Sequence, residues 1–164
     1  MCYNYLNFET KQQEQGMTKD FISHSAEETE NFGYSVGQKL SVGDVVALFG
    51  EMGAGKTAFV RGLARGMGYE GEVSSPTFAL VHEYPARSVL YHFDMYRIDT
   101  WEDLYSTGFF DYLESGGVLV IEWSENIENC LPDNCLRIRI SKNNNENERI
   151  ITLEQEENDE NTCG

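Results

Sequence analysis

Gly50-Glu51-Met52-Gly53-Ala54-Gly55-Lys56-Thr57 matches G-x-x-x-x-G-K-[ST], a spacing whose chemistry is the holding of phosphate. Glycines let the backbone wrap close to an anion so that successive N–H groups point inward as a nest. Lys56 adds a positive charge for the β- and γ-phosphates, and the Thr57 hydroxyl is a magnesium ligand of the kind such loops supply. Two acids that end apolar runs are candidates to complete the metal site: Glu122 after Val118-Leu119-Val120-Ile121, and Asp94 after Val89-Leu90-Tyr91-His92-Phe93. The Glu122 run is the more purely hydrophobic, as expected before a carboxylate at a strand end. No Asn-Lys-x-Asp base-recognition motif occurs, so ATP is favoured over GTP.

A loop of this kind works only if a buried strand delivers it and a helix receives it, because the helix N-terminus adds its positive dipole end. Val45–Phe49 is a β-branched apolar run ending in Gly50, which predicts a strand covered on both faces. Phe59, Val60, Leu63 and Met67 share one side of 56–67 and predict a helix, with Gly62 and Gly66 marking close packing. Ser25-Ala26-Glu27-Glu28 has capping-box spacing, and Phe32, Val36 and Leu40 follow four apart, predicting a helix over 26–40 whose stripe packs on a sheet. Further strands are expected at 77–84 and 88–94, joined around Pro85-Ala86, and at 118–123. A short helix should start at Thr100-Trp101-Glu102-Asp103 and end near Gly108, and 135–140 with 149–153 should close the fold as a hairpin across 143–145.

The chain has 164 residues and a net charge of 12 − 28 = −16, enough for one packed domain. Residues 1–16 show neither helical nor strand periodicity and read as a disordered extension, with Met17 a candidate start. The segment 154–164, with five acids and no base, reads as an acidic disordered tail, leaving 17–153 as the folded domain. The longest apolar run is five residues, against roughly 18 for a bilayer span. No secretory signal is evident, so a cytoplasmic protein is expected. Five lysines and seven arginines are dispersed, so strong direct binding to nucleic acid is not expected. Cys2, Cys130, Cys135 and Cys163 form no Cys-x-x-Cys pair, which argues for reduced thiols over a zinc site.

Four segments together, Gly50–Thr57, Ser75-Pro76-Thr77-Phe78, His92-Phe93-Asp94-Met95-Tyr96-Arg97 and Ile121-Glu122-Trp123-Ser124-Glu125, resemble in order and spacing the signatures of the TsaE (YjeE) family. The similarity covers about residues 23–153. It implies an α/β, P-loop NTPase-like single domain with a central mixed β-sheet flanked by helices. It also implies an ATPase, weak in isolation and magnesium-dependent, needed for threonylcarbamoyladenosine (t(6)A37) in tRNA. That ATPase would reset or regulate a complex of the TsaD and TsaB proteins, and would meet tRNA only through them. By the same resemblance Lys56, Thr77 and Asp94 are catalytic, Thr77 lying in a switch-like segment. Thr57 and Glu122 hold magnesium, and Gly50 to Thr57, Ala58 and Trp123 contact the nucleotide. Arg97 is left between a phosphate contact, support of Asp94 and a structural ion pair. The competing reading is a small-molecule P-loop kinase, which would need an arginine-bearing lid. Arg61 and Arg65 lie instead on the loop's own helix, and no Arg-rich insertion is visible. A third reading, a nucleotide-binding module without turnover, would bind ATP and release no phosphate.

Overall fold

Five consecutive apolar side chains can be satisfied only by covering both faces of a strand, and the computed structural model buries all of Val45–Phe49 at the centre of a sheet. The structure describes residues 17–77 and 79–155. Strands β1 (Met17–Ser23), β2 (Val45–Phe49), β3 (Val81–Pro85), β4 (Val89–Asp94), β5 (Val118–Glu122), β6 (Leu136–Lys142) and β7 (Arg149–Gln155) form one sheet in the order β1-β7-β6-β2-β5-β4-β3. The middle is parallel: β2 pairs with β5 and β6, and β5 with β4. The flanks β3, β7 and β1 are antiparallel, so the sheet is mixed.

Alternation along the central strands sends side chains to two cores. Val46, Leu48, Val118, Val120 and Leu90 meet helices α1 (Ala26–Gly37) and α2 (Lys56–Gly66) on one face. Val45, Leu119, Ile121 and Phe93 meet α3 (Trp101–Ser106), α4 (Phe109–Leu113) and the 3₁₀ segment Ser124–Cys130 on the other. This is the expected α/β single domain with helices on both faces. None of the described helices is long and apolar enough to cross a membrane.

The helix expected over 26–40 ends at Gly37, with Leu40 buried just beyond it. Ser25 caps it by accepting from Glu28 N, but the Glu28 carboxylate takes the His24 N–H rather than that of Ser25, so the box is displaced by one residue. Phe32 does stack on Phe21 of β1, at 4.9 Å between ring centroids, yet the main partner of α1 is α2 rather than the sheet. The reason is a reciprocal glycine face. A Cβ at Gly33 or Gly37 would lie 2.2 or 2.1 Å from the Phe59 or Leu63 carbonyl oxygen, and one at Gly62 or Gly66 would lie 1.8 or 2.2 Å from that of Glu30 or Tyr34. The backbones touch.

Other boundaries also moved. The strand expected at 77–84 begins only at Val81, because Leu80 just before it is left-handed (φ 67°) and donates its N–H to Pro76 O (2.9 Å) instead of extending the ladder. The strand 118–123 stops at Glu122, since Trp123 adopts a left-handed conformation (φ 58°). Helix α3 starts after Thr100 as expected, and Thr100 and Asp103 cap it reciprocally, whereas the sequence gives no sign of α4, the 3₁₀ segment or β1. The closing strand reaches Gln155, so Glu154, assigned to the acidic tail, instead pairs with Thr18 and accepts from Arg139 Nε at 3.2 Å. The extension 1–16 and residues 156–164 lie outside the described residues. Cys130 carries a free thiol.

Candidate functional site

The loop after β2 is shaped by backbone that other residues disfavour. A Cβ at Gly50 (φ 151°) would sit 2.3 Å from the Ile140 carbonyl oxygen of β6, so the chain can pass there only as glycine. Gly55 at φ 106° turns the chain into α2 and offers no side-chain cap. An uncapped helix start leaves its first N–H groups for an anion. Met52, Gly53, Ala54 and Gly55, with Lys56, Thr57 and Ala58 of α2, form one wall of a cleft of about 380 Å³. Gly50 and Glu51 contribute backbone carbonyls, both of which accept from Lys56 Nζ, the Glu51 bond at 3.0 Å.

Lys56 is only 5% exposed. Burial lowers its pKa from 10.5, opposed by the negative charges of Glu125, Glu122, Asp94 and Glu51. Its ammonium also lies 3.8 Å from the centroid of the Trp123 ring, a cation–π contact made possible by the left-handed turn at Trp123. Tyr96 packs on that ring in a tilted arrangement at 4.8 Å between centroids.

The opposite wall comes from the carboxyl ends of β4 and β5, where ligands of open parallel sheets gather. Asp94 and Glu122 are register partners there, both buried. Thr57 Oγ1 donates to Glu122 Oε1 at 3.1 Å. Ser75 Oγ donates to Asp94 Oδ2 at 2.8 Å, Tyr96 N to Asp94 Oδ1 at 2.9 Å, and Thr77 Oγ1 to Ser75 Oγ at 3.4 Å. Ser75, Thr77, Asp94, Tyr96, Glu122 and Trp123 complete the cleft lining. Hydroxyl and carboxylate oxygens beside a loop of N–H groups are a hard donor set that fits magnesium with a polyphosphate. Four carboxylates, Glu125, Glu122, Asp94 and Glu51, act on the Lys56 ammonium.

Of the residues expected to hold the nucleotide, the metal or the reaction, all line the cleft except Gly50 and Glu51, whose carbonyls accept from Lys56. Arg97 does not: it is exposed on the turn after β4 and lines no part of the cleft. Three features went unread. The contact of Ser75 on Asp94 is not legible from the residues around it, the hydroxyl beside Pro76 being its one signal, and Tyr96 lies within the His92–Arg97 segment with nothing in the sequence to assign it a part. Arg149 gave no signal, because it reaches back 95 residues to donate to the Ala54 carbonyl at 3.0 Å and also meets that of Gly53 at 3.3 Å.

The strand–loop–helix and the carboxylates at adjacent strand ends define a P-loop NTPase-like α/β protein. Its fold matches the crystal structure of YdiB from Bacillus subtilis, with a TM-score of 0.73 and 31% identity over 87% of this chain and 88% of that one. A family model described as threonylcarbamoyl adenosine biosynthesis protein TsaE matches residues 23–151, and the chain belongs to the TsaE family. Similar proteins include the tRNA threonylcarbamoyladenosine biosynthesis protein TsaE of Treponema pallidum, 43% identical over 73% of this chain and 88% of the relative. The protein of the same name from Rickettsia typhi is 36% identical over 81% of this chain and 92% of its own length. The one from Bacillus subtilis is 44% identical over 68% and 69%.

Proposed function

We propose that this protein is a magnesium-dependent ATPase of tRNA threonylcarbamoyladenosine (t(6)A37) biosynthesis, acting in the cytoplasm, slow alone, and resetting or regulating a TsaD–TsaB complex between modification cycles. The observation that carries the reading is the convergence of the phosphate loop, the Thr57–Glu122 pair and the Ser75–Asp94 pair on one cleft. The loop N–H groups and Lys56 would bind the β- and γ-phosphates, and Thr57 with Glu122 would hold Mg²⁺. When bound, the ion supplies charge neutralisation on the phosphate oxygens. Asp94 would orient the attacking water. Its two oxygens each already accept one hydrogen bond and keep further lone pairs for that water. The water oxygen bonds to the γ-phosphorus as the bridge to the β-phosphate breaks, giving ADP and inorganic phosphate. Thr77 would sense the terminal phosphate, and Trp123 would lie beside the nucleotide.

The TsaD and TsaB proteins would bring tRNA, because a chain of charge −16 repels a polyanion. The test is multiple-turnover tRNA modification by the partners with wild type, with Asp94→Asn and without added protein. Wild type should sustain more cycles than either other arm, and equal cycling by Asp94→Asn overturns the reset role. Phosphate release without an acceptor should accompany it. Release that depends on an added small-molecule acceptor would support a kinase instead.

A further inference from the structure

His92 is fully buried, two residues before Asp94 on β4, and the reaction outlined above does not use it. Its Nε2 lies 2.8 Å from Glu122 Oε1, the same oxygen that accepts from Thr57. A carboxylate only accepts, so this nitrogen carries the hydrogen. On the other side of the ring, Nδ1 lies 3.4 Å from the hydroxyl of buried Tyr84 on β3, which in turn lies 3.1 Å from the Ser74 carbonyl. His82 on β3 touches the same pair, its Nδ1 3.2 Å from Ser74 O and 3.3 Å from the Tyr84 hydroxyl.

The segment Ser74–Thr77 is therefore fastened to β4 at two points. One is Ser75 on Asp94, and the other runs from Ser74 through Tyr84 and His92 to Glu122. We propose that Tyr84 and His92 are positioning residues forming a relay that couples magnesium ligation at Glu122 to the placement of Ser74–Thr77. The proposal rests on the reading of Glu122 as a metal ligand.

Physically, Glu122 needs a fixed orientation to face an ion, and the buried imidazole N–H supplies it, as outer partners of metal ligands commonly do. The Tyr84 hydroxyl has one hydrogen and three partners within reach, the Ser74 carbonyl, His92 Nδ1 and His82 Nδ1, of which the first two lie on the path to Glu122 and are acceptors when His92 carries its hydrogen on Nε2. Burial raises the Tyr84 pKa above 10.0, which keeps that hydrogen in place at neutral pH. Shifting it toward Ser74 or toward His92 tightens one end of the chain at the expense of the other. That is the element through which one end can bias the other.

The experiment uses the full chain with a non-hydrolysable ATP analogue. It reads the Mg²⁺ concentration for half-maximal thermal stabilisation, and amide hydrogen exchange over 74–77 with and without Mg²⁺. His92→Leu should raise the half-maximal Mg²⁺ by about tenfold, the lower end of what loss of such an outer partner does. His92→Gln, whose carboxamide N–H can replace Nε2, should recover most of that. Tyr84→Phe should raise it about threefold and weaken the Mg²⁺-induced protection of 74–77 by a similar factor, because coupling is reciprocal. A purely structural histidine would lower the melting temperature and leave the half-maximal Mg²⁺ unchanged, and that result overturns the relay. Unaltered protection in Tyr84→Phe overturns it as well. Should His92→Leu fail to fold, His92→Gln and Tyr84→Phe decide between the same outcomes. If wild type shows no Mg²⁺-dependent stabilisation, the metal reading of Glu122 falls and the relay with it. Stabilisation in wild type that all three variants reproduce sinks the relay alone.

Discussion

Two opposing effects act on the Lys56 ammonium. Burial disfavours its charge, while Glu125, Glu122, Asp94 and Glu51 favour it, and burial is the larger. The ammonium should therefore lose its proton below pH 10.5, the ordinary lysine value. A bound phosphate favours the charged form, so binding takes up a proton in that range and affinity falls as pH rises through the lowered pKa. Calorimetric titration of ATP across the alkaline range should show this decline in wild type. Lys56→Arg, always charged, should have a flatter profile whatever its absolute affinity. Lys56→Ala should abolish productive ATP binding or turnover with circular dichroism unchanged, since its partners are loop carbonyls and one ring rather than the core. Normal hydrolysis by that folded variant would remove Lys56 from the site. Glu122→Gln keeps the side-chain shape and should shift hydrolysis to higher Mg²⁺. An unshifted magnesium titration would move the metal role to Asp94.

Among the elements, α1 and α2 are held by backbone contact, and this reverses the usual sign of a glycine substitution. In an exposed helix interior Gly→Ala stabilises by about 1 kcal/mol. At Gly62 the new methyl would stand 1.8 Å from the Glu30 carbonyl oxygen, so the helices must part. Overpacking of that kind costs about 1–3 kcal/mol or more, and it outweighs the propensity gain. Gly62→Ala should therefore lower the midpoint of thermal or urea unfolding, and an unchanged or raised midpoint would contradict the close approach. The hairpin of β6 and β7 plays a second part through Arg149, which clamps the Ala54 and Gly53 carbonyls while also donating to those of Glu146 and Glu148. Arg149→Met, which keeps the stem but not the guanidinium, should weaken nucleotide binding by about tenfold, the 1.4 kcal/mol scale of a lost charged hydrogen bond. Wild-type affinity in a folded Arg149→Met would show that the loop holds its shape unaided.

For the molecule as a whole, charge decides what it can touch directly. At −16 the chain should show no tight binding to isolated tRNA at physiological salt, where screening acts over about 8 Å and leaves the net repulsion at contact. Filter binding or fluorescence anisotropy with labelled tRNA, with and without TsaD and TsaB, checks this. Tight association of the chain alone would refute the electrostatic argument. The sheet places the loop, the Ser74–Thr77 segment and the ends of β4 and β5 around one cleft, so a protein docking there would meet any nucleotide held by the loop together with Thr77, the residue proposed to sense it.

Local chemistry was legible in the residues themselves: the loop pattern, the apolar runs that end in Asp94 and Glu122, and the caps at Ser25 and Thr100 all lie within a few positions of what they act on. The four segments that resemble TsaE likewise meet in one cleft. Where the outcome depended on what lay opposite, sequence was silent. The strand Met17–Ser23 lacks strong alternation and exists because β7 offers it a register partner at every position. Helix α1 turned its glycines to α2 because only there could two backbones approach. Arg149 on Ala54 and His92 on Glu122 bridge 95 and 30 residues, separations over which no local pattern constrains a side chain. Those contacts were decided by the packing of the sheet, which alone brings the ends of distant strands within hydrogen-bonding distance.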